Sequence, residues 1–210
     1  GVRLYRTGWQ RRISRLRDAS RRNAGGARRL EWAFIYRKET MKTSFALVAA
    51  AALAAGCATT AGTAPSAVAK LEPTTGNTAR GTVTFTQKGG KVVLDAKVAG
   101  LTPGSHGFHI HEKGDCSSGD GMSAGGHFNP DGKPHGPQGA PHHGGDMPSL
   151  KADASGQAKA SFVLEGVTVT AGPASIVGRG LIVHKDPDDY RTQPTGNAGA
   201  RVACAVIQAS

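Results

Sequence analysis

Apolar residues recur at every second position in several stretches of this chain, and that period constrains its fold more than any other feature. Val83 and Phe85 alternate with Thr82, Thr84 and Thr86. Val92, Leu94, Ala96 and Val98 alternate with Val93, Asp95 and Lys97, and Phe162 and Leu164 stand between Ser161, Val163 and Glu165. Successive side chains on a strand point to opposite faces, so each stretch reads as a half-buried strand. The Gly-Gly turn in Lys88-Gly89-Gly90-Lys91 joins the first two as a hairpin, and apolar runs at 174–177, 180–184 and 201–207 supply further strands. Aromatic residues make up only 5% of the 210 residues. Aliphatic and alanine side chains must therefore fill the core, which suits short strands better than long amphipathic helices. The chain is predicted to be all-β; it is neither a coiled coil nor a collagen.

The formal net charge of +11 would ordinarily point to nucleic acid or an acidic surface. Its distribution argues otherwise. Residues 1–40 hold 12 Lys and Arg against 3 Asp and Glu, whereas residues 41–210 hold 14 against 12. The basic upstream segment 1–40 is expected not to belong to the native protein, with Met41 as the start, and nucleic acid is not an expected partner. A mitochondrial presequence is the rival reading of 1–40, but a second, complete export signal follows directly. Residues 41–57, MKTSFALVAAAALAAGC, carry a Lys, an 11-residue apolar run at 45–55 and a small-residue end, the three parts of a secretory signal. A transmembrane helix needs about 20 apolar residues, so this run is too short to span. The ending Leu53-Ala54-Ala55-Gly56-Cys57 resembles a bacterial lipoprotein cleavage site and makes Cys57 the candidate lipidation site. Leu53 stands one place early for that motif, and ordinary cleavage nearby is the alternative.

Residues 58–78 are rich in Ala, Thr, Gly and Pro and read as a flexible tether leading into a domain at 79–210. Within that domain alternation stops between residues 112 and 147, where Gly, Pro, Asp and His dominate. A loop of that length usually carries function. Seven of the eight histidines fall at 106–143, a window of 38 residues. On a strand, His109 and His111 share one face and can converge on one ion. The loop adds His127, His135, His143 and Asp146, and His184 ends a later strand. Six imidazoles and a carboxylate are too many for one tetrahedral site. Two metals sharing a ligand solve the count: three histidines plus an aspartate suit zinc, and an all-imidazole set suits copper.

Five stretches in order, GFHIHEKGDC (107–116), AGGHFNPDGKPHGP (124–137), HGGDMPSL (143–150), GRGLIVHKDPDDY (178–190) and TGNAGARVACAVI (195–207), resemble the Cu,Zn superoxide dismutase family, in its bacterial periplasmic branch. The resemblance implies an eight-stranded antiparallel Greek-key β-barrel, a flattened sandwich with two long metal-site loops. It implies one copper per chain, held by His109, His111, His127 and His184, and one zinc, held by His127, His135, His143 and Asp146, with His127 the shared bridge. Asp188 matches the aspartate whose carboxylate links the free nitrogens of His109 and His135. Arg201 matches the cationic gate beside copper, and His106 a structural histidine beneath it; His142 matches nothing. Cys116 and Cys204 match the family's disulfide. Three cysteines are present; with Cys57 lipidated, an even pair remains in an oxidising setting, and a pair of buried free thiols is the alternative.

The activity the resemblance implies is conversion of two superoxide anions and two protons to O2 and H2O2 as copper alternates between Cu(II) and Cu(I). His127 would take and return a proton, and Arg201 would orient the anion. Lys113, Lys133 and Lys185 are candidates for steering superoxide. The competing class is a non-enzymatic exported copper or zinc buffer, or a metallochaperone on the same barrel. The protein is expected in the periplasm, tied to a membrane only through a lipid at Cys57, as a monomer or homodimer.

Overall fold

A computed structural model describes residues 62–210. The basic segment 1–40, the signal 41–57 with Cys57, and the first residues of the tether lie outside the described residues. Those described form β1 (Ser66–Pro73), β2 (Arg80–Lys88), β3 (Lys91–Ala99), β4 (Gly104–His106), β5 (Phe108–His111), β6 (Leu150–Ala152), β7 (Ala158–Leu164), β8 (Gly180–His184), β9 (Arg201–Val206) and β10 (Gln208–Ala209). One 3-10 turn, Met122–Ala124, is the only helical element among them. Every strand pair is antiparallel.

The main sheet runs β5-β8-β9-β1-β2-β3-β7, with β10 also on β1, and a small ladder joins β4 to β6. Chain continuity curls this sheet round. β4 leads into β5 across Gly107, and β6 leads into β7 through a turn closed by Asp153 N–H on Gln157 O at 2.9 Å. The β4–β6 ladder thereby connects the two ends of the sheet. The all-β class expected from the alternation is present, and so is the curled antiparallel sheet that the resemblance implies.

The inward faces follow the period-two pattern. Val83 and Phe85 of β2, Val92, Leu94, Ala96 and Val98 of β3, and Leu164 of β7 are buried in one aliphatic core. Across the β2–β3 hairpin, Phe85 pairs with Leu94 and Val83 with Ala96, which sets inward residues opposite inward residues.

Two expectations require correction. The tether predicted over 58–78 contains β1, which pairs with β2 from Ser66 opposite Thr86 to Leu71 opposite Gly81. Its inward residues are Ala67, Ala69 and Leu71, all buried. Two of the three are alanines, so the alternation that marks a strand is faint within an Ala- and Thr-rich tract. The apolar run at 174–177 is not a strand either. Ser175 makes a single bridge to Thr168, and positive-φ glycines flank the run at Gly172 and Gly178. It folds as a turn, with Ile176 N–H on Thr168 O at 2.9 Å.

Candidate metal centre

The long loop is not structureless where it matters. β5 is hydrogen-bonded to β8 along one edge, with His109 opposite Ile182 and His111 opposite Gly180. Along its other edge the loop returns twice. Phe128 N–H donates to Ile110 O at 2.8 Å and Ile110 N–H to Gly145 O at 2.9 Å, which sets His111 against His127 and His109 against Asp146. Gly145 is required at this crossing, because a Cβ there would overlap the carbonyl oxygen of Ile110. His184, the last residue of β8, lies opposite Arg201, the first residue of β9, at an irregularity in that ladder.

This scaffold gathers seven buried side chains into two groups that share one member. In each group, one ligand atom per residue lies within 4.8 Å of all the others: His109, His111, His127 and His184 form the first, and His127, His135, His143 and Asp146 the second. The rings of His109 and His127 stack with centroids 3.9 Å apart.

The hydrogen bonding tests whether metals fit. His109 Nε2 bonds Asp188 Oδ2 at 2.7 Å, His111 Nδ1 bonds Gly125 O at 2.9 Å, and His184 Nδ1 bonds Gly199 O at 3.2 Å. The opposite nitrogens, His109 Nδ1, His111 Nε2 and His184 Nε2, are buried without a partner, as is His127 Nε2. Burying an unpaired polar atom costs about 1–3 kcal/mol, so four together mark a place for an ion. In the second group Asp146 Oδ1 lies 2.8 Å from His127 Nδ1, 3.0 Å from His135 Nδ1 and 3.3 Å from His143 Nδ1. With metal–nitrogen bonds of about 2.0 Å, the edges of a tetrahedron around zinc are about 3.3 Å. The residues fit both ions.

The charge states agree with ligation, which needs neutral imidazole. Burial lowers His109 to about 4 and His184 to about 3, and pushes His111 well below the usual histidine range. His135 differs: burial lowers it, but the Asp146 and Asp188 carboxylates close beside it outweigh that and raise it to about 9. Burial works against ionisation of Asp146 and Asp188, yet their bonds to histidines hold both well below the ordinary carboxylate range.

Asp188 is the link between the groups, bonding His109 through Oδ2 and His135 Nε2 through Oδ1, the latter at 2.9 Å. Gly196, with φ of +67°, makes room for it, since a Cβ there would overlap Asp188 Oδ1 and crowd His135 Nε2. Arg201 donates to Gly121 O and Gly125 O, each at 2.7 Å, and Gly125 O also receives His111. Cys116 and Cys204 form a disulfide with Cα atoms 5.9 Å apart. His106 lies beneath the first group, its Nδ1 bonded to His184 O at 2.8 Å. His142 joins neither group, although its Nδ1 is buried without a partner. Lys133 pairs with Asp131 at 2.7 Å.

Several contributing residues escape sequence reasoning. Gln138 Nε2 donates to Asp146 O at 2.6 Å, Gln193 bonds the backbone of His135, and the Tyr190 hydroxyl oxygen accepts Ser149 N–H at 2.8 Å while its ring lies parallel to that of His135. The Arg179 guanidinium sits 4.3 Å from the centroid of Phe128 and donates to Glu112 O at 2.6 Å. It thus ties together the residues that follow His127 and His111. Gln138 and Gln193 lie outside every quoted stretch; Arg179 and Tyr190 lie inside 178–190, where nothing local assigns them these contacts.

A curled antiparallel sheet bearing two four-ligand groups joined through one imidazole defines a dinuclear metalloprotein. The chain belongs to the copper/zinc superoxide dismutase family, whose model matches residues 79–207. A curated relative, superoxide dismutase [Cu-Zn] 2 of Brassica juncea, is 45% identical over 137 residues, covering 61% of this chain and 88% of its own. A crystal structure described as that of clock protein EA4 matches with a TM-score of 0.63 and 40% identity, over 70% of this chain and 95% of that one. The chain is an oxidoreductase that dismutates superoxide with copper and zinc as cofactors, and the buffer or chaperone alternative is not favoured.

Proposed function

We propose that His109, His111, His127 and His184 hold copper, that His127, His135, His143 and Asp146 hold zinc, and that Arg201 and His127 serve the reacting anion. The reading rests on one observation: six imidazoles each turn a buried, unpartnered nitrogen into one of two groups that share His127. Bound copper supplies the one-electron couple that lets two mutually repelling anions react singly, and bound zinc supplies a fixed charge with no redox change.

The chain's own residues do the rest. Arg201 is half-buried and anchored to two carbonyl oxygens, so its cation is held at one place beside His111. A fixed guanidinium there orients a diatomic anion and attracts it from a distance, an effect that salt weakens. His127 Nε2 faces the first group and is the atom at which a proton can be held and passed on. Asp188 keeps the His109 and His135 rings from turning, so the groups stay in register.

We further propose, from the signal-like segment 41–57 and its closing Cys57, an exported protein of the bacterial periplasmic branch that carries a lipid at Cys57. The test is metal analysis of the purified chain with a superoxide assay. Near one copper and one zinc per chain, with turnover lost on copper chelation, is expected; zinc alone, with no turnover after copper is supplied, overturns the reading. Metabolic labelling with a fatty acid, compared between the chain and Cys57→Ser, tests the anchor.

A further inference from the structure

We propose that Gln193 is a positioning residue for His135 and sets how tightly the group of His127, His135, His143 and Asp146 takes up zinc. The inference rests on the assignment of that group to zinc. His135 lies outside every strand, yet it is buried. The backbone N–H and C=O of a buried residue must find partners. Among the described residues no main-chain group bonds either one. A single side-chain amide serves both: Gln193 Oε1 accepts His135 N–H at 2.8 Å, and Gln193 Nε2 donates to His135 O at 2.8 Å.

That pair of bonds reproduces what a neighbouring strand would give, in a stretch where no strand is available. The amide is itself oriented from its own turn, because Nε2 is also 3.3 Å from Arg191 O. Asp189 in turn stiffens that segment by accepting Arg191 N–H at 2.9 Å and Thr192 N–H at 2.8 Å. The backbone of His135 is thus fixed by Gln193 and its ring by Asp188, five positions earlier in the same loop. With both fixed, Nδ1 is aimed at the second group before any ion arrives, and less ordering remains to be done on binding. Gln193 touches no ligand atom of the group, so its effect passes through His135.

The measurement is the zinc dissociation constant of the copper-free full chain, by competition with a chelator, with Co(II) absorption as a second probe of tetrahedral geometry. Partners that orient a ligand typically contribute about 10–100-fold in metal affinity. Gln193→Ala is expected to weaken zinc binding by about that factor and to shift the Co(II) bands. Gln193→Glu keeps an acceptor for His135 N–H but sets a carboxylate oxygen against His135 O, so it too should weaken zinc binding and shift the Co(II) bands. A lowered melting temperature with zinc affinity within about twofold of wild type in both variants overturns the proposal and leaves Gln193 an ordinary structural contact. Failure of the wild-type chain to bind one zinc overturns the ligand assignment instead, which separates the two failures.

Discussion

The two ligand groups are built in different ways. His109, His111 and His184 stand on β5 and β8, which are hydrogen-bonded to each other, so their Cα positions follow from a ladder. His135, His143 and Asp146 stand on loop, and their places are held by contacts made one at a time. Asp146 Oδ2 accepts the N–H groups of Gly136 and His143 at 3.1 and 2.9 Å, while Gln138 and Gln193 bond the backbones of Asp146 and His135. One half of the site is inherited from the sheet; the other is assembled by polar side chains and depends on each of them.

Acid should separate the halves most strongly. In the metal-free chain, His109 and His184 have native values of about 4 and 3, below the ordinary 6.5. The unfolded chain then binds more protons below pH 6.5, so stability falls as pH drops from 6.5 towards 4, by on the order of several kcal/mol. His135 has the opposite sign, being raised to about 9. Its contribution is fully present below 6.5 and is lost as pH rises from 6.5 through 9. Chemical denaturation of the metal-free chain across pH 4–9 checks both limbs; stability flat from 6.5 to 4 would contradict the buried neutral state of the strand-borne histidines.

Next in size is the disulfide, which fastens the loop side at Cys116 to β9 at Cys204 across a sequence separation of 88. Closing a loop of that length is worth about 4–5 kcal/mol in the chain-entropy model. Replacing both cysteines by serine should lower stability by that order, with loss of zinc retention exceeding loss of copper retention. Equal losses would mean that the loop half is no more dependent on its fastenings than the sheet half.

Asp188→Ala removes the carboxylate that both halves share and should weaken both metals by about 10–100-fold, read by chelator competition. Weakening of zinc alone would show that the strand ladder suffices to hold His109. Arg201→Ala should leave metal content intact and lower turnover by about tenfold, with a flatter salt dependence. Unchanged turnover would remove Arg201 from the reaction. The smallest effect is expected from Arg179→Lys, which keeps the charge but gives up the guanidinium over the Phe128 ring: about 0.5–1 kcal/mol of stability by thermal melting.

Much of this was legible in the chain, and the division follows the same line. Strands β2, β3 and β7 were visible because Val, Leu and Phe alternate with polar residues, and burial against one core enforces that period. β1 was hidden because alanines occupy two of its inward positions, and the run at 174–177 misled because apolar content without alternation does not distinguish a strand from a packed turn. The ligands stood out because imidazoles are rare and seven were concentrated in one window. Gln138 and Gln193 lie outside every quoted stretch, and Arg179 and Tyr190 lie inside 178–190 without a legible role. Each acts by one or two hydrogen bonds or a stack on residues up to 67 positions away, as from Arg179 to Glu112, and such pairings leave no local pattern.

On the proposed ligand assignment, the carboxylate of Asp188 couples the two metal sites thermodynamically. Occupying either site fixes a ring that this carboxylate holds, and so arranges the ring on its other oxygen. Whatever factor the first ion adds to the affinity of the second must be returned in equal measure when the order of loading is reversed.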